Sequence, residues 1–288
     1  MQVAHAEDSA QITSIRGKER EFKTLLTGEE GALDNFRVYF VRQLGAVDIP
    51  RHKHNFDQIR VCLEGGPQNF GSGKWIAPGE IAYFPEGTAY GPEQSNTDRL
   101  SLTFQFGGAS GNGFVGSKRL HAAMEEMKAF GTFDKGMFTH SGELKPGQKR
   151  TQDSFEAIWE HVNGRELVYP RARYGEAILI KPQNFEWDAQ DGQPGFAKKQ
   201  LCIFSERHLQ LEIARIEPGA RGVQRSRGGV QVGFVMQGEG SVNGEAVRKY
   251  SAFSGREDFA LASQAGMDVL LVGLPVFAAQ TKPLMAAE

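Results

Sequence analysis

Residues 52–58 read His-Lys-His-Asn-Phe-Asp-Gln, and residues 59–65 continue with Ile-Arg-Val-Cys-Leu-Glu-Gly. Two histidines at positions i and i+2 of a strand face the same side of a sheet, because successive strand side chains alternate. Two imidazoles on the inner side of a closed sheet can hold one transition metal ion. This stretch therefore predicts a candidate metal site inside a β structure.

The composition of the 288-residue chain predicts a packed globular protein. Hydrophobic residues make up 40% of it and charged residues 24%. The net charge of −2 gives no electrostatic basis for binding nucleic acid or an anionic membrane. No apolar run reaches the roughly 20 residues that span a bilayer, and residues 1–8 are too polar for a signal peptide. We therefore expect a cytoplasmic protein.

Short apolar runs separated by glycine and proline turns predict an all-β architecture in two blocks. The first block ends near residue 106, and the second resumes near residue 177. Between them, helical spacing predicts one helix over residues 117–130, with Ser117 as its N-cap, and a second over residues 151–162. The predicted domains are residues 1–115, a helical connector over 116–165, and residues 166–288.

The two blocks contain a shared pattern. Block one reads Gly45-AVDIPR-His52-K-His54-NFD-Gln58-IRVCLE-Gly65. Block two reads Gly219-ARGVQ-Arg225-S-Arg227-GGV-Gln231-VGFVMQ-Gly238. The spacing from the first motif position to the last glycine is identical, which indicates an internal duplication.

Block one resembles the first cupin motif, G-x5-H-x-H-x3,4-E-x6-G. The segment Gly79-EIAYF-Pro85-E-Gly87-TA-Tyr90-GPE-Gln94 is similar to the second, G-x5-P-x-G-x2-H-x3-N. The resemblance covers residues 36–106 and, more weakly, 176–275. It implies a double-stranded β-helix of the cupin or jelly-roll type, duplicated as a bicupin with a short helical insert. It names no reaction, since one fold hosts many functions.

The resemblance carries the cupin metal positions onto His52, His54, Gln58 and Tyr90. Two positions match and two depart, because Gln58 replaces a carboxylate and Tyr90 replaces an imidazole. A neutral amide and a neutral phenol leave a dication without an anionic ligand unless Tyr90 ionises or the substrate brings charge. The two histidines could instead form hydrogen bonds or transfer protons in a metal-free pocket.

Strand alternation predicts that Arg60 and Cys62 share the inward face with Gln58. An arginine inside a small barrel needs a partner, so Arg60 either grips an anionic substrate or forms an ion pair with Asp57 or Glu86. Phe56, Phe84 and Trp75 are expected to supply apolar walls.

Block two has Arg225 and Arg227 at the histidine positions and keeps only Gln231. Arginines cannot coordinate a cation, so this block is predicted to be a structural, degenerate cupin barrel. An anion site on the two arginines is the alternative.

These patterns and the cupin resemblance lead to a metal-dependent cupin enzyme, with a dioxygenase acting on a small carbonyl, phenolic or carboxylate compound as the leading reaction. Tyr90 and Arg60 are the candidate catalytic residues. The expected cofactor is a divalent transition metal, Fe2+ first, with Mn2+, Ni2+ or Zn2+ as alternatives. A non-catalytic small-molecule-binding cupin and a cupin isomerase or decarboxylase remain open. The expected partners are a small-molecule substrate and a second copy of the chain, because exposed sheet edges favour a two-fold dimer.

Overall fold

The computed structural model describes residues 1–9, 11–13, 20–144 and 146–277. Its first part contains β1 (Gln2–Ala4), β2 (Gln11–Thr13), β3 (Arg20–Thr27), β4 (Phe36–Gln43), β5 (Val47–Ile49), β6 (Asp57–Gly65), β7 (Gln68–Gly71), β8 (Lys74–Ile76), β9 (Ile81–Phe84), β10 (Glu93–Ser95) and β11 (Arg99–Phe106). The middle contains α1 (Ser117–Met127), β12 (Gly131–Asp134), β13 (Met137–His140), β14 (Thr151–Asp153) and α2 (Ser154–Asn163).

The last part contains β15 (Ile178–Ile180), β16 (Asp188–Ala189), β17 (Phe196–Ile203), β18 (Gln210–Ile216), β19 (Arg221–Gln224), β20 (Gln231–Val242), β21 (Glu245–Arg248), β22 (Ala252–Gly255), β23 (Phe259–Ala262) and β24 (Met267–Gly273). The predicted predominance of β structure is confirmed. No helix within the described ranges is long and apolar enough to cross a membrane.

Two antiparallel sheets dominate the molecule. The first has the order β15-β9-β6-β11-β4-β3-β2, and the main path of the second is β1-β22-β20-β24-β18-β17-β16. The third position of each order holds a strand of the shared motif, β6 or β20. Each sheet also takes its first strand from the distant part of the chain, since β15 pairs with β9 and β1 pairs with β22.

The two sheets pack face to face through one shared apolar core. In β6, Ile59 and Val61 point into that core, where the ring of Phe40 from the first sheet lies 5.9 Å from that of Phe234 in the second. Because strand side chains alternate, the opposite face of the first sheet carries Gln58, Arg60 and Cys62. We call it the inner face of the first sheet. Residues of β7, β8 and β10 lie over it.

The corresponding face of the second sheet is largely apolar. Its buried cluster includes Phe196, Val235, Phe253, Phe259 and Met267. Side chains of this size fill the interior of the second half. Both halves also bury polar side chains on this face, Gln58 and Arg60 in the first and Gln210, Glu212 and Gln224 in the second. The two motif histidines lie beside the first of these clusters, which directs attention to the inner face of the first sheet.

Both predicted helices exist, with shifted boundaries. The first ends at Met127, and its N-cap is Gly116 rather than Ser117. The second begins at Ser154, because residues 151–153 pair with β13 and the Asp153 carboxylate accepts the backbone N–H groups of Phe155 and Glu156. Phe155 of α2 contacts Phe56, two residues after His54, with ring centroids 6.3 Å apart.

Candidate active site on the first sheet

A backbone bridge fixes the two motif segments against each other. The N–H of His52 donates to the carbonyl of Tyr90 at 3.0 Å, and the N–H of Tyr90 donates back at 2.9 Å. His52 and His54 thus precede β6 rather than lying within it, yet their rings converge. The two imidazoles do converge, as strand geometry predicted. They do so because an isolated β-bridge between His52 and Tyr90 holds the segment, not because it belongs to a strand.

The hydroxyl of Tyr90 is the point on which the site converges. It lies 3.0 Å from His52 Nε2, 2.9 Å from His54 Nε2 and 3.2 Å from the Gln58 amide. Arg60 donates to the same oxygen through Nη2 at 2.8 Å. Three of the predicted metal positions, and Arg60, therefore meet at the hydroxyl oxygen of the fourth, Tyr90.

A hydrogen bond to the backbone orients the His52 ring. Its Nδ1 lies 2.8 Å from the carbonyl oxygen of Pro50. A carbonyl only accepts, so Nδ1 carries the proton and Nε2 presents a lone pair toward the Tyr90 hydroxyl. This is the tautomer that a metal ligand or a proton acceptor requires.

The Gln58 amide links the tyrosine to the arginine. Because a guanidinium only donates, the favoured amide orientation turns the Gln58 oxygen toward Arg60, with Nε and Nη2 each at 3.0 Å. The same oxygen can then accept from the Tyr90 hydroxyl. Gln58 therefore holds an acceptor at the centre of the site.

Arg60 points inward as predicted, but its predicted ion-pair partners are wrong. Its Nη1 donates to Glu93 at 2.5 Å. Asp57 lies on the shared-core face, where it accepts from the Tyr83 hydroxyl, and the Glu86 carboxylate binds Ser110. Because side chains alternate along β6, the side chains of Asp57 and Arg60 lie on opposite faces of the sheet.

Electrostatics around this ion pair decide the protonation of the site. Burial raises the pKa of Glu93, yet Arg60 and then Arg20 outweigh it and hold that pKa below its usual value. Burial also raises the pKa of Tyr90, and the Arg60 charge offsets only part of that increase. Tyr90 is therefore a neutral phenol beside a cation that favours its ionisation.

Aromatic rings enclose the polar centre. The Phe56 ring stacks on His54 with centroids 4.5 Å apart, and the Phe84 ring lies 4.5 Å from that of Tyr90. The expectation for Trp75 is wrong, because it is 45% exposed and borders a surface recess with Val47. His52 and His54 are half-buried, so solvent reaches the imidazole side.

The donor spacing suits a divalent transition metal. Neighbouring ligands held at roughly 2.1 Å from one ion lie roughly 3 Å apart, close to the distances from the Tyr90 oxygen. Without a charged substrate group, charge balance would require ionised Tyr90, because the imidazoles and the amide are neutral. Arg60 favours that ionisation. That His52, His54, Gln58 and a Tyr90 phenolate hold one ion stays a prediction.

Carboxylates do not contribute to this donor set. Among the described residues, no group of three or more His, Cys, Asp or Glu side chains is arranged to hold a metal. A metal here depends on Gln58 and Tyr90 as well as on the histidines.

The matching region of the second sheet has a different chemistry. Arg225 is exposed and pairs with Asp258 at 2.7 Å, while Gln231 lies 3.3 Å from Gln224. Gln210, Gln224 and Lys198 surround the buried carboxylate of Glu212. His208 and Arg227 line a recess over this cluster together with Gln210 and Glu212. Among the described residues no second imidazole joins His208 there, whereas His52 and His54 both face Tyr90.

Sequence reasoning missed Glu93 and two arginines near it, Arg20 and Arg99. Glu93 follows Tyr90 by three residues, within the second motif, and could have been weighed as a partner for Arg60. Arg99, Ser101, Thr103 and Gln105 alternate along β11, a polar pattern that indicates a hydrophilic inner face.

Comparison with known proteins supports the fold. No family model and no curated protein matches the chain. A candidate dioxygenase from Nostoc punctiforme matches with a TM-score of 0.59 and 11% identity, over 97% of this chain and 85% of its own. A candidate glyoxylate-induced protein from Pseudomonas aeruginosa gives 0.56 and 13%, over 97% and 90%.

Oxalate decarboxylase from Bacillus subtilis, a protein with Mn(II) centres, matches with a TM-score of 0.53 and 13% identity, over 96% of this chain and 78% of its own. At such low identity these likenesses establish architecture alone. They support the cupin fold that the two motifs of block one predict.

Proposed function

We propose that the chain is a metal-dependent cupin enzyme whose active centre is the Tyr90-centred cluster on the first sheet. The observation that carries this proposal is the convergence of His52, His54, Gln58 and Arg60 on one phenol oxygen. The leading reaction is a dioxygenation of a small carbonyl, phenolic or carboxylate compound. A candidate dioxygenase is among the proteins that share this architecture.

The duplicated architecture is part of the proposal. The shared motif spacing and the matching strand orders support a bicupin, with a catalytic first barrel and a degenerate second barrel. The apolar interior of the second half supports a structural role for it.

A divalent ion held by His52, His54, Gln58 and Tyr90 would supply Lewis acidity and a site for dioxygen. Fe2+ is the first candidate because it suits oxygenation, and the likeness to a protein with Mn(II) centres makes Mn2+ the next.

The chain's own groups have separable tasks. Glu93 fixes Arg60 so that its guanidinium faces Tyr90 and can orient an anionic group of the substrate. Tyr90 holds or releases a proton at its hydroxyl, and His52 Nε2 is placed to accept it. The rings of Phe56 and Phe84 shield His54 and Tyr90 from water.

A metal-free acid–base enzyme, such as an isomerase or decarboxylase, is a second candidate. It is favoured by the neutral phenol of Tyr90, whose distances to both imidazoles are also those of ordinary hydrogen bonds. In that case Tyr90 and His52 would exchange a proton with a bound substrate.

Iron loading in air tests the proposal directly. A phenolate bound to ferric iron absorbs visible light, so the loaded wild type should be coloured. Tyr90→Phe should lose that absorption, whereas Tyr83→Phe, which alters a buried tyrosine on the opposite face of the sheet, should keep it.

Retention of the visible band in Tyr90→Phe contradicts Tyr90 ligation. Failure of the wild type to take up any divalent metal assigns the centre to the acid–base candidate.

A further inference from the structure

The second half of the molecule contains a recess with a polar floor. Glu212 lies on that floor, and the exposed side chains of His208 and Arg227 lie at the rim. The enclosed part has a volume of about 20 Å³, which is room for roughly one water-sized group, and it widens into a mouth that is open to solvent. We call this space the second-half recess.

The floor of the second-half recess is built around one buried carboxylate. Glu212 is 2% exposed and accepts hydrogen bonds from the amide of Gln210, at 2.9 Å, and from that of Gln224. The side-chain oxygens of these two glutamines are buried and have no hydrogen-bond partner among the described residues. Because a buried acceptor without a partner is unfavourable, the floor favours a ligand that donates a hydrogen bond.

Arg227 brings a positive charge to the rim. Its guanidinium forms no ion pair or hydrogen bond within the described ranges, whereas Arg225 pairs with Asp258 at 2.7 Å. Lys198 lies 3.6 Å from Glu212. Burial lowers the pKa of Lys198, Glu212 opposes that change, and Arg227 adds to it. Two cations therefore accompany one carboxylate, and the second-half recess favours one further negative charge.

One wall of the second-half recess is apolar. Its side chains are those of Val230, Leu271, Leu274 and Val276. A short alkyl group placed there would remove apolar surface from water. The recess thus offers hydrogen-bond acceptors, a cation and a hydrocarbon wall within one small space.

We propose that the second-half recess binds a small α-hydroxy carboxylate. The hydroxyl group occupies the water-sized space and donates to a side-chain oxygen of Gln210 or Gln224. The carboxylate accepts two hydrogen bonds from Arg227 and balances the excess positive charge. An ammonium group in place of the hydroxyl would leave that excess in position, which disfavours an α-amino acid. This ligand site lies in the half that has no catalytic task under the proposed function.

Lactate, propionate and alanine test the ligand class, because they differ only in the substituent on the α carbon. Calorimetric titration of the full chain with racemic lactate in low-salt buffer should detect binding. Propionate, which has no hydroxyl, should bind about tenfold or more weakly, the loss expected for one hydrogen bond to a buried acceptor. Alanine should also bind more weakly than lactate, because its ammonium group cancels the charge of its carboxylate.

Arg227→Met tests the site itself. It should weaken lactate binding by about tenfold or more and leave the thermal midpoint of the ligand-free protein unchanged, since Arg227 is exposed and has no ion pair within the described ranges. Arg225→Met is the matched control, because Arg225 is also exposed but does not line the recess. The His52→Ala/His54→Ala variant should bind lactate like the wild type, which separates this site from the Tyr90-centred cluster.

Three results would overturn the proposal. Equal affinity for lactate and propionate would show that the floor acceptors take no part in binding. Equal loss of lactate binding in the two arginine variants would indicate non-specific attraction of anions. No lactate binding by the wild type would leave water as the only occupant of the recess.

Discussion

Arg60 illustrates how a single buried charge organises the candidate site. It contacts Glu93 on one side and the Tyr90 hydroxyl on the other, and both contacts lie on a face that excludes water. Such a charge is tolerated only because its partner is buried with it. The arginine therefore couples the stability of the fold to the chemistry of the site.

Replacing one member of this pair should cost more than replacing both. Arg60→Gln leaves Glu93 buried without its main partner, and we expect a loss of about 3–5 kcal/mol in the free energy of unfolding. Adding Glu93→Gln should recover much of that loss. Urea denaturation measures both, with Arg42→Gln as an exposed control expected within about 0.5 kcal/mol of wild type. Strictly additive losses in the double variant would contradict the account.

Asp57 makes stability depend on pH in a defined direction. Burial raises its pKa from 3.8 to about 7, although the backbone N–H of Glu86 opposes the shift. A carboxyl with a raised folded-state pKa stabilises the fold below pH 3.8, and that contribution is lost as pH rises toward 7. Asp57→Asn should therefore gain stability relative to the wild type between those values.

Thermal midpoints measured across this range check the prediction, with the exposed Asp134→Asn as the control. A constant difference between Asp57→Asn and the wild type at every pH would contradict it.

The resemblance to the two cupin motifs was enough to predict which side chains meet at the site. The structure brings His52, His54, Gln58 and Tyr90 together, while their role as metal ligands stays a prediction. Motif spacing offered Glu93 as one candidate partner of Arg60 but did not select it over Asp57 or Glu86, because Glu93 reaches Arg60 from a separate small sheet. Contacts between distant segments depend on tertiary packing, which spacing within one motif does not encode.

The insert shows how an element can support a site that it does not enter. Asp153 caps α2 by accepting two backbone N–H groups, at 2.8 and 3.1 Å, and α2 presents Phe155 to Phe56 beside His54. Asp153→Ala should lower the free energy of unfolding by about 0.5–2 kcal/mol. Urea denaturation tests this against Asp134→Ala, a hairpin position in the same insert, where an equal loss would argue against a specific cap.

Element types were easier to predict than element partners. Helical periodicity located both helices, but the first ends at Met127 rather than Phe130, and the Asp153 cap moves the start of the second from Thr151 to Ser154. The sequence did not predict that β1 joins the second sheet beside β22, or that β15 joins the first sheet beside β9. A three-residue strand carries too few side chains to specify which edge it joins.

Because the two sheets share one core, we expect them to unfold as one cooperative unit. Phe234 is fully buried where the sheets meet, between Phe40 and Tyr250. Phe234→Ala should lower the free energy of unfolding by about 3–5 kcal/mol. We also expect tryptophan fluorescence and circular dichroism to report one coincident unfolding transition. Ile203→Ala, at an exposed position, should change little. Two separate transitions in the wild type would contradict a common core.

At the scale of the whole molecule, the cupin fold was implied by the resemblance of block one to two family motifs, in which glycines and prolines hold fixed positions. Those residues specify turns, and turns determine how a small sheet closes. The reaction lies beyond that information, because one fold hosts many reactions and the site residues alone decide among them.

Metal content tests the central claim most directly. Wild-type protein loaded with Fe2+ or Mn2+ and desalted should retain stoichiometric metal by elemental analysis. The same should hold for the control His121→Ala/His208→Ala, which removes two exposed histidines. The folded His52→Ala/His54→Ala variant should retain none. Equal metal in that variant, or none in any of the three proteins, would contradict the metal centre proposed around Tyr90.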